Sequence, residues 1–397
     1  LLNKKAFILL LIFCVSFFII PNNINPVNAH NPTWWDYEWN RRLEITINHT
    51  LIDENLIDFP ILIYVNSSLV NWDNIQNNLD DIRFIGNELE VLSFEIDSYI
   101  LNDEAWFWVK FPEVYNDRDT YFFMYYDNKF CLGGEDSINV WDSNFVMVQH
   151  MNDETTSTVL DSTDNNNDGT KTGGNSPLEV SGFISNAQDF DGDDDKIVVT
   201  DSASISPTDQ ISIGFWVSFD VIEHVGLIWK DSYNFILRYE NTKYVLVVYD
   251  AVTSSITSYT TTPTTGTSYY IVCTLEADGK SRLYINGNLK SVAGTAVSGI
   301  RDIAGDLQIG YRGDGGGEAY LDGILDEIQV SNIGRSPAWI SASYYSELLE
   351  LVIYGLHEHP EDFTLREDIN NNTLLILIVF IVACSGFTIM ITQKRRK

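Results

Sequence analysis

A chain of 397 residues with 24 basic and 56 acidic side chains carries a formal charge of −32. That surplus of carboxylates excludes polyanionic partners, nucleic acid and anionic lipid alike, because like charges repel on approach. It favours a surface that binds cations or stays soluble at high salt.

The elements follow from the N-terminus. Lys4 and Lys5 precede an apolar run over residues 6–20, and Val27-Asn28-Ala29 supplies small residues at a cleavage site. That is the layout of a secretory signal peptide, residues 1–29. Beyond it the pattern is β. RRLEITI sets Leu43, Ile45 and Ile47 on one side and Arg42, Glu44 and Thr46 on the other. A period of two marks a strand with one face on a core. Aromatic-rich strands continue through FPILIYV, DIRFIG, AWFWVKFP and TYFFMYYDN, and CLGGEDS then reads as a linker. The boundary falls near Trp141-Asp142-Ser143.

Downstream, ISIGFWVSF alternates Ile211, Ile213, Phe215, Val217 and Phe219 inward. In IVCTLEADGKSRLYINGNLK, Asp278-Gly279 and Asn286-Gly287 are hairpin turns, so three antiparallel strands meander there. SPAWISASYYS, near Ser336, is a short helical signal. Residues 357–372 form an acidic stalk, and residues 373–392 are continuously apolar, enough at about 20 residues to cross a bilayer. Lys394-Arg395-Arg396-Lys397 follow, and basic flanks stay cytoplasmic. Many short strands with turn signals predict an all-β chain. It comprises two β-sandwich domains, residues 30–142 and 143–356, plus one C-terminal transmembrane helix. The expected location is the cell membrane, single-pass, with the ectodomain outside and the tail of residues 393–397 cytoplasmic. Without the six basic residues of the two ends, 18 basic against 56 acidic side chains leave the ectodomain near −38. Cys131 and Cys273 lie in it, and their pairing stays open.

The segments DSTDNNNDGT, AQDFDGDDDKIVV, ISIGFWVSF, SRLYINGNL, LQIGYRG and LDGILDEIQVSNIGRSPAWISASYYS occur in that order. Together they resemble a concanavalin A-like, laminin-G-type jelly roll over about residues 145–347. The first sandwich, in FPILIYV, DIRFIG, AWFWVKFP, MYYDN and VWDSNFVMVQHM, resembles a domain of unknown function that precedes such jelly rolls in bacterial and archaeal surface proteins. The resemblance implies a binding fold and a structural calcium on the convex side, between the loop after an early strand and a carboxylate on the last strand. The matching positions are Asp191 and Gly192 in FDGD and Asp326 in GILDEIQ. Ca²⁺ takes about six to eight oxygens, so two carboxylates with loop carbonyls suffice. Gly192 permits the tight turn. The competing reading makes Asp326 a buried hydrogen-bonding residue that fixes the last strand. Asp193, Asp194 and Asp195 read as a solvated rim. Asp164, Asn166, Asp168 and Gly169 fit the start of an EF-hand loop, but Asn175 stands where glutamate closes the shell, so a solvated turn is expected.

For ligand recognition, Tyr311 in IGYRGDGGGEAY is the expected exposed aromatic, with Arg312 and Asp314 as hydrogen-bonding groups beside a glycine-rich loop. Trp216, Trp106 and Trp108 are expected in cores. Enzymatic readings find little support. Glu95-Ile96-Asp97 lacks the second glutamate of the glycosidase strand motif and lies in the first sandwich. The six histidines, His150 among them, are scattered without a metalloprotease spacing. The expected function is a membrane-anchored surface binding protein, recognising surface glycans or envelope proteins through a lectin-like jelly roll. A structural envelope component without a free ligand is the second reading, and a surface glycosidase the third.

Overall fold

The computed structural model describes residues 33–155, 157–174, 176–230, 234–313 and 319–360. The first sandwich follows from the period-two pattern. Leu43, Ile45 and Ile47 are fully buried, and Glu44 and Thr46 are half-buried on the other face. Arg42 departs from the expectation. It is 1% exposed, lying over the Phe123 ring at 3.8 Å, with Nη1 donating to the Tyr125 hydroxyl at 2.8 Å and Nη2 paired with Glu358 at 2.7 Å.

One sheet of this sandwich has the order Val352–Glu358, Arg41–Ile47, Thr120–Tyr126, Arg83–Gly86, Val91–Leu92; the other has Leu56–Asn66, Glu104–Val114, Phe94–Ile100. Phe59, Ile61, Phe84, Phe94, Phe107 and Phe122 fill the space between them. Val352–Glu358 comes from the far end of the chain, with Ile47 opposite Val352 and Ile45 opposite Tyr354. The first sandwich is therefore closed by residues that the sequence assigns to the second domain and the start of the stalk.

The second sandwich has two eight-stranded sheets. Its front sheet runs Ser254–Thr260, Lys243–Tyr249, Phe235–Glu240, Val225–Lys230, Leu307–Ile309, Lys196–Val199, Gly169–Thr172, Thr158–Val159. Its back sheet runs Leu178–Ser181, Asn186–Asp191, Asp322–Ser331, Ile211–Phe219, Ser268–Leu275, Ser281–Ile285, Asn288–Val292, with Phe145–Gln149 paired onto Asp322–Ser331. Ile211, Ile213, Phe215, Val217 and Phe219 all enter the core, as their alternation predicts. The predicted meander is present, and its second turn has φ 51 at Asn286 and φ 70 at Gly287. Two successive positive φ values are what a type I′ hairpin turn needs.

The outer face of the back sheet meets the first sandwich. Trp108, Trp141, Phe145, Val148, Ile184 and Leu62 pack together along this seam. Arg335 reaches across it with two 2.8 Å bonds to Asp142, its guanidinium between the rings of Phe145 and Trp339. The helix Pro337–Glu347, capped by the Ser336 hydroxyl accepting from Trp339 N, puts Ala338 and Ala342 into the first core and Ile340 against Trp216.

The expected location in the cell membrane is corrected here. Among the described residues no helix is long and apolar enough to cross a membrane. Residues 373–392, on which that expectation rests, lie outside the described residues, as do residues 1–29. The closure of the first sandwich by the chain's far end is directly testable. Leu351, fully buried, sits just before the closing strand. Leu351→Ala should cost about 2–5 kcal/mol, the usual range for a core leucine truncation, read by denaturant unfolding. A loss below about 0.5 kcal/mol, typical of surface sites, would show that this segment does not close the core.

Candidate functional site

The front sheet turns its outer face away from the core, and strand alternation decides what stands there. In Phe235–Glu240, Phe235, Leu237 and Tyr239 enter the core, leaving Ile236, Arg238 and Glu240 outside. Strand register lines up Val198, Gln308, Trp229, Ile236, Val247 and Ile256 across six strands of that face. Over the middle of this band lies a short ribbon in which Tyr311 pairs with Tyr320. The Tyr311 ring is 5.8 Å from Trp229 and 4.8 Å from Tyr320, and Lys196 Nζ stands 4.2 Å from its centroid. Tyr249 joins the cluster, with Arg301 at 5.2 Å from its ring.

Charged groups frame the rings. Arg238 pairs with Glu240 Oε1 at 2.8 Å and Arg312 with Glu240 Oε2 at 3.0 Å. Burial pushes the Glu240 carboxyl up, but the hydrogen bonds and charges of Arg238 and Arg312 outweigh it and hold the group below the usual range. Glu240 is thus a fixed anion. Glycine permits the close packing: a Cβ on Gly226 would meet the Tyr311 carbonyl oxygen at 2.2 Å, and one on Gly313 the Tyr311 hydroxyl at 2.2 Å. Trp229 Nε1 is buried and has no hydrogen-bond partner among the described residues.

Tyr311 is therefore not the exposed aromatic that its sequence context predicts. Only 7% of it is exposed, because Trp229, Tyr320 and Lys196 enclose the ring. The half-buried rings are Tyr320 and Tyr249. Arg312 stands at the patch, tied to Glu240, while Asp314 lies outside the described residues. Arg238 and Glu240 escaped the sequence reading, although their alternation with Phe235, Leu237 and Tyr239 in FILRYE marks them as outward.

The acidic loop is the second site. Asp191 Oδ1 accepts from Asp193 N at 2.9 Å, Asp195 Oδ2 accepts from Asp191 N at 3.2 Å, and Asp194 Oδ1 accepts from Gly174 N at 2.8 Å. Carboxylate oxygens of Asp191, Asp194 and Asp195 lie within 4.8 Å of one another. Asp195 is no solvated rim: it is 2% exposed, and its Oδ1 has no partner among the described residues. The set is all oxygen and fits a hard cation. Gly192, at φ 79, makes the expected turn.

Asp326 does not join this group. Its Oδ2 accepts from Phe183 N at 2.8 Å and Ile184 N at 2.9 Å, and 1% of it is exposed. The sheet register puts Asp191 opposite Asp322 and Gln188 opposite Leu325. Asp326 is thus four positions along the strand from Asp191's partner, roughly 13 Å at about 3.3 Å per residue. Oxygens about 2.3–2.6 Å from one calcium cannot stand that far apart. Asp191 and Asp326 therefore do not meet on one ion, and the carboxylates gathered with Asp191 are those of Asp194 and Asp195.

Residues 191–341 match the Concanavalin A-like lectin/glucanases superfamily. No curated protein matches the chain. Among solved structures, the binding domain of Paraclostridial Mosquitocidal Protein 1 aligns at 18% identity over 51% of this chain and 52% of that one, with a TM-score of 0.41. The binding domain of Botulinum neurotoxin DC, in complex with rat synaptotagmin II, aligns at 13% identity over 52% of each chain, with a TM-score of 0.42. The chain thus spans about half the length of these structures.

Asp195 gives this loop a pH signature. Burial, then the charges of Asp191, Asp194 and Asp189, push its carboxyl up to about 6, against the one hydrogen bond from Asp191 N that lowers it. Between its ordinary 3.8 and about 6 the folded protein holds a proton that the unfolded chain has lost. Folding stability without added cation should therefore fall as pH rises through that window. Asp195→Asn should flatten the profile. Equal slopes for the two proteins in denaturant unfolding would remove Asp195 as the cause.

Proposed function

We propose that the protein is a recognition module that binds glycans on the outer face of the front sheet. The observation that carries this reading is the pair of half-buried rings, Tyr320 and Tyr249, packed on Trp229, Ile236 and Tyr311, with the ion pairs of Arg238 and Arg312 to Glu240 and with Lys196 over the Tyr311 ring. Sugars present an apolar face for aromatic stacking and hydroxyls on their edges for charged partners. Half-buried Tyr320 and Tyr249 supply ring surface, and the Glu240 ion pairs supply oriented donors and acceptors. The superfamily match in residues 191–341, which includes lectins by its description, supports the same reading. Hydrolysis is less well supported at this patch. A glycosidase needs a protonated acid beside a second carboxylate, whereas two arginines keep Glu240 ionised.

The test is a glycan array probed with the purified chain, followed by titration of whichever saccharide binds. Tyr320→Ala should weaken binding about tenfold, as loss of an aromatic contact worth about 0.5–1.5 kcal/mol and its buried area implies. An array without binding, or a Tyr320→Ala protein that binds unchanged, would rule out glycan recognition by this face.

A calcium ion on Asp191, Asp194 and Asp195 is the cofactor proposed for the jelly roll. Its role would be to neutralise the loop and fix its turn at the end of strand Asn186–Asp191. A ligand that binds only the folded state at about a hundredfold excess over Kd adds about 2.7 kcal/mol. Calcium should therefore raise the melting temperature of chelator-treated protein, and Asp194→Asn should remove most of that rise. Superimposable melting curves with calcium and with chelator would end the proposal.

A further inference from the structure

The seam between the two sandwiches holds ionisable groups that the recognition face does not use. Glu95 and Asp97 come from strand Phe94–Ile100, His150 follows Phe145–Gln149, Asp326 and Glu327 lie on Asp322–Ser331, and Glu347 ends the helix. The Asp97 side chain is 1% exposed, as is Glu327, and Glu95 is 7% exposed. Among the described residues, His150 is the one basic side chain in ion-pair contact with these carboxylates. Each uncompensated buried ion costs several kcal/mol. One imidazole thus stands against three carboxylates, Glu95, Asp97 and Glu327.

The backbone is bent to bring these groups together. A regular strand would send Asp326 and Glu327 to opposite faces. Here the pairing with Ile211–Phe219 shifts register between Gly214 and Trp216, and Glu327 has φ 50. Leu325 and Ile328 stay in the core, so both carboxylates face the seam. Bulges re-aim side chains in this way, and a left-handed non-glycine persists only where its surroundings over-determine it.

The donors converge on the imidazole. His150 Nδ1 is 2.9 and 3.0 Å from the two Glu327 oxygens and 3.6 Å from Asp97 Oδ2. Donors about 2.1 Å from one ion stand about 3.0–3.6 Å apart when the angles between them are about 90–120°. A single N–H could serve only one of those carboxylates. Supporting groups hold the set in place. Asp97 Oδ1 accepts from Asn152 Nδ2 at 2.7 Å and its Oδ2 from Trp108 Nε1 at 3.2 Å. Glu95 accepts from Trp141 Nε1 at 2.8 Å and from the Ser162 hydroxyl at 2.5 Å. Its Oε2 lies 3.4 Å from His150 Nε2, a buried nitrogen that makes no hydrogen bond among the described residues. A carboxylate behind the far ring nitrogen is what orients a metal-ligating histidine and sets its tautomer.

We propose that Asp97, His150 and Glu327 form a site for a divalent transition cation of the Zn²⁺ class, which clips the first sandwich to the jelly roll. One imidazole nitrogen with carboxylate oxygens is a mixed donor set, suited to Zn²⁺ rather than to Ca²⁺, which takes oxygen alone. The site is separate from the acidic loop, which offers no nitrogen.

The test uses chelator-treated full chain titrated with Zn²⁺ alone and, separately, with Co²⁺ alone. One equivalent of Zn²⁺ should bind and raise the melting temperature. Co²⁺ should give visible d–d absorption and a paramagnetically shifted imidazole resonance. Glu327→Gln and Asp97→Asn, which keep size and polarity, should each lower affinity by at least about tenfold, the least that loss of a group supporting a ligand costs, while Asp194→Asn leaves it unchanged. Should either seam variant fail to fold, the imidazole resonance of the unaltered protein decides. Absence of that shift overturns the proposal, and so does binding that survives both seam variants but is lost in Asp194→Asn.

Discussion

His150 is one imidazole set against three carboxylates in a space without bulk water, and the seam between the sandwiches is built around that imbalance. Burial alone would lower its pKa, but the charges of Glu327, Asp97 and Glu95 raise it well above the ordinary value. The carboxylates answer in kind: burial pushes Asp326 and Glu327 far up, and lifts Glu347 to about 8. Aromatic donors absorb much of what remains. Trp108 serves Asp97, Trp141 serves Glu95, and Trp216 serves Glu347. Each indole spends its single N–H on a carboxylate while its rings fill the apolar part of the seam. Large aromatics with one polar tip suit a boundary that is charged on one side and greasy on the other.

The same constraint reaches outward into the jelly roll. Asp326 holds the backbone N–H groups of Phe183 and Ile184, and a Cβ on Gly182 would meet Asp326 Oδ2 at 2.6 Å. Phe183, fixed in this way, stacks on Trp216 with centroids 3.5 Å apart. The turn between Leu178–Ser181 and Asn186–Asp191 is thus tied to the seam at one end, and the second of those strands runs to the acidic loop at the other. Asp326, which the resemblance implied as a calcium ligand, is committed to structure. Its Oδ1 is buried as well and has no hydrogen-bond partner among the described residues.

How much of this was legible in the sequence varied with the range of the interaction. Strands with one buried face were readable, because Leu43, Ile45, Ile47 and the five inward residues of ISIGFWVSF follow a local period. The turn at Asn286-Gly287 was readable for the same reason. Glu95, Asp97, His150 and Glu327 were each visible but meaningless apart. Nothing in the sequence says that residues 95 and 327 share a site, and the bulge that turns Glu327 towards His150 depends on tertiary pairing. The closing strand VIYGLHE was hidden by its own composition. At the sheet edge most of its residues remain half-buried or exposed, so it carries charge and histidine as a linker would. Tyr311 was misjudged because a short ribbon next to a glycine-rich stretch reads as an open loop, whereas here it folds back onto Trp229.

The division of labour between the two sheets follows from which faces the seam consumes. A jelly roll has two outer faces, and here the back sheet gives up its own to the first sandwich. Its aromatic residues there, Trp216, Tyr270 and Tyr284, are buried against Ile340 of the helix and partly buried Tyr344. The front sheet is the one whose outward residues keep partly exposed rings and ion pairs together. The first sandwich, closed by the last described strand, is held on through Arg335 and the ion pairs of His150. It removes one outer face of the second sandwich from solvent, and the aromatic cluster of the front sheet stands on the other.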